Sequence, residues 1–238
     1  MISALVDERI SKECEHGLQK AGFYTIRLPS ASTLPKPIAS HPDTLLFYHN
    51  DSVITSADYC DSAAYVFSDI RERHPNIKIT FTADTFGEKY PLDIPFNALV
   101  LSNKLFAKAD TLSESVKSYA AKSGLNIINT KQGYPACATL ALSSKEVITA
   151  DKGLAEIYKK EGISATLIEN GDITLPPYEY GFIGGASGVY ADKVYFLGDY
   201  TTHRSASLIE KAILRAGLKP VSLSGEPLSD LGGIVFIH

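Results

Sequence analysis

Short apolar stretches and longer amphipathic segments alternate along this chain in a fixed order. In the clearest example, residues 44–48 and 53–55 are short and apolar, with a polar turn at 49–51 between them. Apolar positions within 63–70 then recur at the three- and four-residue spacing of a helix, and residues 77–81 again alternate as a strand does. The pattern predicts a unit of strand, strand, helix and strand.

The same plan recurs five times, which is typical of a fold built from one repeated supersecondary unit. We predict one domain, 1–238, with units at approximately 1–31, 42–82, 96–130, 136–170 and 182–224, and a closing strand at 231–237.

The two ends of the chain complement each other. Residues 2–6 lead almost directly into a helix, so the first unit lacks one strand, whereas residues 231–237 form a surplus strand with no helix after it. Pairing the surplus strand with the first unit would close the repeat into a ring and leave no long sheet edge exposed. An open doubly wound sheet is the alternative, but turns as short as 143–145 imply antiparallel neighbours.

Two further marks repeat with the units. A glycine followed by an apolar residue ends four of the five predicted helices, because glycine adopts the left-handed conformation without a Cβ penalty. An aspartate precedes most helices and is expected to cap them by accepting from a backbone N–H. The glycines are Gly22, Gly124, Gly162 and Gly217, and the aspartates are Asp58, Asp110, Asp151 and Asp199.

Composition narrows the class of protein. With 45% apolar residues the 238-residue chain can bury an ample core, and no segment reaches the roughly 18 uninterrupted apolar residues of a membrane helix. The N-terminus does not read as a signal peptide, so we expect a cytoplasmic protein. The net charge of −4, with dispersed Lys and Arg, predicts no nucleic-acid partner and no membrane partner.

Cysteine and histidine usage predicts no cofactor and no metal site. The three cysteines, Cys14, Cys60 and Cys137, are too few and too scattered for a disulfide framework or a Cys-x-x-Cys site. The histidines show no ligand spacing, so zinc is not expected either.

Two glycine-rich stretches give the ring a family resemblance. Residues 182–190, FIGGASGVY, and residues 230–237, DLGGIVFI, resemble the Glu-Gly-Gly-Asp segment and the last strand of the pentein superfamily. This superfamily comprises guanidine-modifying enzymes such as dimethylarginine dimethylaminohydrolase, deiminases and amidinotransferases, and a non-catalytic ribosome factor. The resemblance implies a five-fold pseudosymmetric ββαβ α/β propeller.

The same stretches depart from the family chemistry. The family's cysteine nucleophile belongs in the last strand, which here contains no sulfur. The family's Glu and Asp would fall at Ile183 and Ala186, and the residue nearest its proton-shuttling His is Gln132. These departures predict a non-catalytic pentein; the alternative is a guanidine-modifying hydrolase or transferase with altered machinery, for which Cys137 is the candidate nucleophile.

Ligand binding is expected at the central channel. Polar residues at or just before the first strand of a unit would face it, and they are Asp43, Asn97, Gln132, Ser187 and Asp230. The connections 82–95 and 169–181 interleave acids with tyrosines, which suits a small cation, although such residues decorate many loops. We therefore expect a small polar or cationic ligand, or a protein partner, at the channel; the oligomeric state stays open.

Overall fold

The computed structural model describes residues 2–238. Five three-stranded sheets account for most of its strands. Their strands are β1 Ser3–Asp7, β2 Tyr24–Leu28, β3 Leu46–His49, β4 Ser52–Ser56, β5 Lys78–Thr82, β6 Leu99–Leu101, β7 Lys104–Ala107, β8 Asn126–Asn129, β9 Thr139–Ala141, β10 Glu146–Thr149, β11 Ser164–Leu167, β13 Ser187–Tyr190, β14 Lys193–Phe196, β15 Lys219–Ser222 and β17 Val235–Ile237. A two-stranded pair consists of β12 Ile173–Thr174 and β16 Leu228–Ser229.

Helices connect the middle strand of each unit to its outer strand. The helices of the chain are α1 Lys12–Lys20, α2 Pro42–Leu45, α3 Ala57–Ser62, α4 Ala64–Arg73, α5 Glu114–Lys122, α6 Lys152–Lys160 and α7 Ala206–Arg215, of which only α2 lies outside such a connection, directly before β3. Their buried positions follow the helical spacing seen in the sequence, as in α4, where Val66, Phe67 and Ile70 face the core.

All five sheets share one plan, which confirms the predicted ββαβ unit. The middle strand pairs antiparallel with the inner strand and parallel with the outer strand, because the outer strand returns through a helix. The strand orders are β17-β1-β2, β3-β4-β5, β6-β7-β8, β9-β10-β11 and β13-β14-β15.

The C-terminal strand completes the first unit, as the sequence predicts. Strand β17 pairs antiparallel with β1, with Ser3 opposite Ile237 and Leu5 opposite Val235. This pairing rules out the open-sheet alternative, because it supplies the inner strand that the first unit does not encode.

The inner strands of all five units surround one central channel. A cavity of about 400 Å³ is lined by residues of β3, β6, β9, β13 and β17 together. Since one cavity touches every unit, the repeat is arranged around an axis, as in an α/β propeller.

The parallel pair β12–β16 was not predicted. It joins the connection 169–181 to residues 223–230, and the Asp230 backbone N–H donates to the Thr174 carbonyl at 2.9 Å. Both strands have two residues, too few for a periodic pattern. The pair fixes the segment that leads Asp230 into the centre of the ring.

The predicted glycine stops are confirmed. Gly22, Gly124, Gly162 and Gly217 all have φ between +67° and +93°. The residue after each glycine donates its N–H to a carbonyl in the last helical turn, as Ile163 does to Tyr158 at 2.8 Å.

The aspartate caps are only partly confirmed. Asp151 caps α6 by accepting from the Leu154 N–H at 2.8 Å, and Asp199 accepts from Thr201 N–H at 3.0 Å at a short 3₁₀ turn before α7. Asp58 is the second residue of α3, which Ser56 caps, and Asp110 forms an ion pair with Lys108. At these helices a serine, not the aspartate, occupies the N-cap position, where its hydroxyl accepts from a backbone N–H of the first turn.

The core consists of apolar clusters between sheets and helices. The closing strand belongs to one of them, in which the Phe236 ring contacts Phe23, Tyr190 and Tyr195 at centroid distances of 4.6, 5.4 and 5.7 Å. Among residues 2–238, the helices are all too short or too polar to cross a bilayer.

If ring closure stabilises the fold, then Phe236→Ala should lower the free energy of unfolding by about 3–5 kcal/mol, because it empties a buried aromatic cluster. Leu208→Ala is the matched control, since Leu208 is 49% exposed on α7 and its loss should cost less than about 0.5 kcal/mol. Urea unfolding of both variants measures the difference. Equal stabilities would contradict a closing role for β17.

Candidate functional site

A second cavity, of about 540 Å³, is formed by the loops that lead into the inner strands. It is lined by Glu88 and Asp93 from the connection 82–95, by Tyr134, and by Tyr178 and Glu179 from the connection 169–181. The two connections that the sequence analysis singled out for acids and tyrosines therefore meet at one cavity.

The floor of this cavity holds Cys137, His41 and Asp230. The Cys137 Sγ atom lies 3.6 Å from each carboxylate oxygen of Asp230, and His41 Nδ1 lies 3.8 Å from Asp230 Oδ1. All three side chains are buried. The floor is thus a thiol, an imidazole and a carboxylate contributed by three distant parts of the chain.

Backbone amides hold the Asp230 carboxylate in place. It accepts from the N–H groups of Phe182 at 2.8 Å and Gly232 at 3.1 Å. Glycine is required opposite it, because a Cβ on Gly185 would overlap Asp230 and approach the Cys137 Sγ to 2.8 Å. The glycine-rich stretch 182–190 therefore serves the close approach of backbone to this carboxylate.

A second carboxylate lies behind His41. Asp7, at the end of β1, is fully buried, and its Oδ2 lies 3.9 Å from His41 Nε2. Arg9 holds Asp7 through its backbone N–H at 2.7 Å and its guanidinium at 2.6 and 2.9 Å. His41 is consequently placed between two buried carboxylates, and neither of its ring nitrogens has a hydrogen-bond partner.

Burial dominates the electrostatics of the floor. Desolvation, together with the charges of Asp230 and Asp43, raises the pKa of the Cys137 thiol well above its ordinary value. Desolvation lowers the pKa of His41, against the opposing effects of Asp230 and Asp7. Near neutral pH the floor therefore holds a thiol and a neutral imidazole.

Three aromatic rings form a row along the cavity. Tyr134 lies between Tyr90 and Phe182, with centroid distances of 6.1 and 6.5 Å. The Tyr134 hydroxyl donates to Oδ2 of Asp93, whose other oxygen is buried without a partner. Desolvation raises the pKa of Asp93, with the Tyr134 hydrogen bond acting in the opposite direction.

The predicted ligand-binding residues lie in different places. Asp230 reaches the floor of the second cavity, while Asp43 and Ser187 line the central channel. The Ser187 hydroxyl donates to the Ile183 carbonyl at 2.7 Å. Burial and the Asp230 charge raise the pKa of Asp43 well above its ordinary range.

Asn97 and Gln132 make internal hydrogen bonds and line neither cavity. Asn97 donates to the Asp43 carbonyl and accepts from the Ala136 N–H, both at 3.0 Å. Gln132 donates to the helix-capping Asp151 at 2.8 Å and faces an outer cleft. Both side-chain amides connect parts of the protein, so their polar groups are already satisfied.

A thiol lies at the floor of the second cavity, although the last strand contains none. That strand has no cysteine, but Cys137 reaches the centre from the beginning of the fourth unit. Ile183 and Ala186, at which the resemblance would place the family's two acids, are buried in an apolar cluster.

His41 was missed because spacing along the chain does not connect it to Cys137 or Asp230. A usable signal was present in the repeat: each of the three residues lies shortly before the inner strand of a unit, namely β3, β9 and β17. In a ring, such positions converge.

Comparison with solved structures places this architecture in a known class. SxtG, an amidinotransferase from Microseira wollei in the saxitoxin biosynthetic pathway, is 12% identical over 92% of this chain and 74% of that one, with a TM-score of 0.56. DDAH from Pseudomonas aeruginosa, as a mutant complexed with citrulline, is 10% identical over 94% and 91%, with a TM-score of 0.58. An agmatine deiminase from C. jejuni is 7% identical over 93% and 87%, with a TM-score of 0.56.

The fold is therefore that of the penteins, the α/β propellers of guanidine-modifying enzymes. A family model matches residues 5–235, and the chain belongs to that family, which is described as a family of unknown function, DUF6873. No curated protein sequence matches the chain significantly.

If Asn97 acts as a bridge, then Asn97→Ala should lower the free energy of unfolding by about 2–4 kcal/mol, because it leaves the Ala136 N–H and the Asp43 carbonyl without their partner. Asn103→Ala, in the exposed turn between β6 and β7, is the control and should change stability little. Chemical unfolding compares the two variants. A stable Asn97→Ala protein would instead favour a role in binding.

Proposed function

We propose that the protein binds a small organic cation, of the guanidinium or alkylammonium class, in the cavity above Cys137, His41 and Asp230, without converting it. The observation that carries the proposal is Asp93, a buried carboxylate with one unpartnered oxygen on the cavity wall, held by the central tyrosine of an aromatic row.

The charge of the lining favours a cation. Four acids, Glu88, Asp93, Glu179 and Asp230, line the cavity, and none of the described residues that line it is Lys or Arg. A carboxylate on a wall of low polarity attracts a cation more strongly than one in water, because the field is less screened.

The aromatic residues favour a cation with an apolar or delocalised body. The rings of Tyr90, Tyr134 and Phe182 form one wall, and the half-exposed Tyr178 stands at the rim. Ring faces attract cations, and each such contact contributes about 0.5–2 kcal/mol.

Asp93 supplies directionality. Its Oδ2 already accepts from Tyr134, so Oδ1, which is buried without a partner, would accept from an N–H of a ligand once a small side-chain movement opens it to the cavity. A hydrogen bond to a charged group in such a site contributes about 1.5–3 kcal/mol.

The structural neighbours give this ligand class indirect support. Their names describe an amidinotransferase, an agmatine deiminase and a protein complexed with citrulline, all of which concern guanidines or their products. Because fold does not imply function, this support is an analogy, and the argument stands on the cavity.

The proposal of binding without conversion is supported by the residues found where the resemblance would place the family's catalytic groups. The last strand offers no thiol, and Ile183 and Ala186 stand where the family has acids. The one thiol at the floor is buried and protonated, which makes it a poor nucleophile.

A second candidate is a thiol-dependent hydrolase or transferase acting on a guanidine. The observation that favours it is the joint placement of Cys137, His41 and Asp230 on the cavity floor. Sγ would bond to the guanidinium carbon, His41 would take the thiol proton and pass it to the leaving amine, and water would then hydrolyse the amidino-cysteine.

Calorimetric titration of the metal-free protein with agmatine, arginine and citrulline should give affinities that decrease in that order. Agmatine carries two positive charges, arginine adds a carboxylate that the acidic lining repels, and citrulline replaces the guanidinium by a neutral urea. Equal binding of agmatine and citrulline would contradict a cation site. Release of ammonia, urea or citrulline that disappears in Cys137→Ser would establish the second candidate instead.

Agmatine affinity should also depend on pH through Asp93. Because burial raises the pKa of Asp93, affinity should begin to fall at a pH above the usual carboxyl range as acid neutralises the group. Asp93→Asn should weaken binding about 10–100-fold at neutral pH and flatten this part of the profile. Asp51→Asn, in the exposed turn between β3 and β4, should change neither; a wild-type profile retained by Asp93→Asn would exclude Asp93 from the site.

A further inference from the structure

We propose that His41, Cys137 and Asp230 form a zinc site at the floor of the cavity. Ligand atoms of the three residues all lie within 4.8 Å of one another, and the residues are 0%, 4% and 1% exposed, respectively. Thiolate and imidazole are ligands that favour Zn²⁺ over Mg²⁺ or Ca²⁺. This proposal does not rest on the binding of an organic cation.

The distances also allow a common ion, in addition to the weak hydrogen bonds of the Cys137 thiol to Asp230. In a tetrahedral zinc site, a sulfur and an oxygen ligand stand about 3.5 Å apart, and a nitrogen and an oxygen ligand about 3.3 Å apart. Here Cys137 Sγ is 3.6 Å from both Asp230 oxygens, and His41 Nδ1 is 3.8 Å from Asp230 Oδ1. Small side-chain adjustments would bring one atom of each residue to bonding distance of a single ion.

His41 provides an independent observation. It is fully buried, and both of its ring nitrogens lack a hydrogen-bond partner. Each unpaired buried polar group lowers the stability of the fold by about 1–3 kcal/mol. A ligand that binds this imidazole would remove part of that penalty. A metal ion at Nδ1 satisfies the nitrogen that faces Asp230.

The other ring nitrogen completes a familiar arrangement. His41 Nε2 faces Asp7 Oδ2 at 3.9 Å, and Asp7 is held by Arg9 through three hydrogen bonds. With a metal on Nδ1, Nε2 would carry the proton, and a small ring movement would let it donate to Asp7, as metal-bound histidines commonly do to a carboxylate. Asp7 is thus a positioning residue that selects the tautomer and orients the ring.

The site has three protein ligands and lies on a cavity wall. Zinc sites with three protein ligands keep a fourth position for water or a small molecule, whereas structural sites are closed by four. Since His41, Cys137 and Asp230 all line the cavity, a fourth position on that side would be open to it. A ligand with an oxygen, nitrogen or sulfur donor would then coordinate the ion from the cavity.

Zinc would also change the role of the thiol. A bound metal holds Cys137 as a thiolate that is committed to coordination, so it is not free to attack a guanidinium carbon. The zinc site and the thiol-dependent enzyme are therefore alternative uses of the same cysteine, and experiment can separate them.

The first test is titration of the chelator-treated protein, carrying no histidine tag, with Co²⁺ as a spectroscopic probe and with Zn²⁺. We expect one equivalent of Co²⁺ to give a thiolate-to-cobalt charge-transfer band and intense visible bands of a four-coordinate ion, and one equivalent of Zn²⁺ to remove them. Binding without a charge-transfer band, or of several equivalents, would indicate adventitious surface binding and overturn the proposal. This result needs no variant and so does not depend on a variant's folding.

Variants assign the ligands. Cys137→Ser should abolish the charge-transfer band, and His41→Gln and Asp230→Asn should each weaken Zn²⁺ binding at least about tenfold. Asp7→Asn should weaken it about 10–100-fold while keeping the band, because Asp7 acts through His41. Cys60→Ser and His16→Gln, at a half-buried and an exposed position outside the cluster, are matched controls and should bind as the original protein does.

The variants also decide between this proposal and the others. Circular dichroism checks that each variant is folded, and a folded Cys137→Ser protein that retains the charge-transfer band would overturn the ligand assignment. Failure of agmatine to bind the metal-free protein would leave this result untouched, because the cobalt spectrum reads only the cluster at the floor.

Discussion

The closed ring depends on the hydrogen bonds that the last eight residues make to the first unit and to the fifth unit. Strand β17 pairs with β1 of the first unit, while the N–H groups of Leu231 and Gly233 donate to the Gly185 carbonyl at 2.9 and 2.8 Å in the fifth unit. These bonds join units that are separated by the whole length of the chain. They also fix the backbone around Asp230, so closure of the fold and construction of the cavity floor are one event.

A closed ring gives chemical meaning to positions that look unrelated in the sequence. Residues just before the inner strands converge at one end of the channel, which is how Cys137 and Asp230, 93 residues apart, come to lie 3.6 Å from each other. The same repeat allows a thiol to reach the centre from the fourth unit although the last strand has none. A reactive side chain near the centre of a pseudosymmetric fold can thus come from any unit. The absence of cysteine from the last strand therefore does not mean that the centre lacks a thiol.

The cavity combines two environments with different physical demands. Its walls and rim are acidic and aromatic and are partly exposed to solvent, which suits recognition of an organic cation. Its floor is buried, and there desolvation dominates the pKa shifts of Cys137 and His41. Burial makes the unpartnered imidazole of His41 unfavourable, whereas Tyr178 at the rim keeps contact with solvent.

The sequence by itself determined the repeated unit, the helix stops such as Gly162, the return of β17 to β1, and the two loops that supply the acids and tyrosines. These follow from local periodicity, turn chemistry and the missing strand, which are all written along the chain. Only the tertiary structure decided that the side-chain amides of Asn97 and Gln132 make internal hydrogen bonds and that His41 lies beside Cys137. Which polar group meets which partner depends on distances across the ring, and these are set by the packing of five units around an axis that no local pattern records.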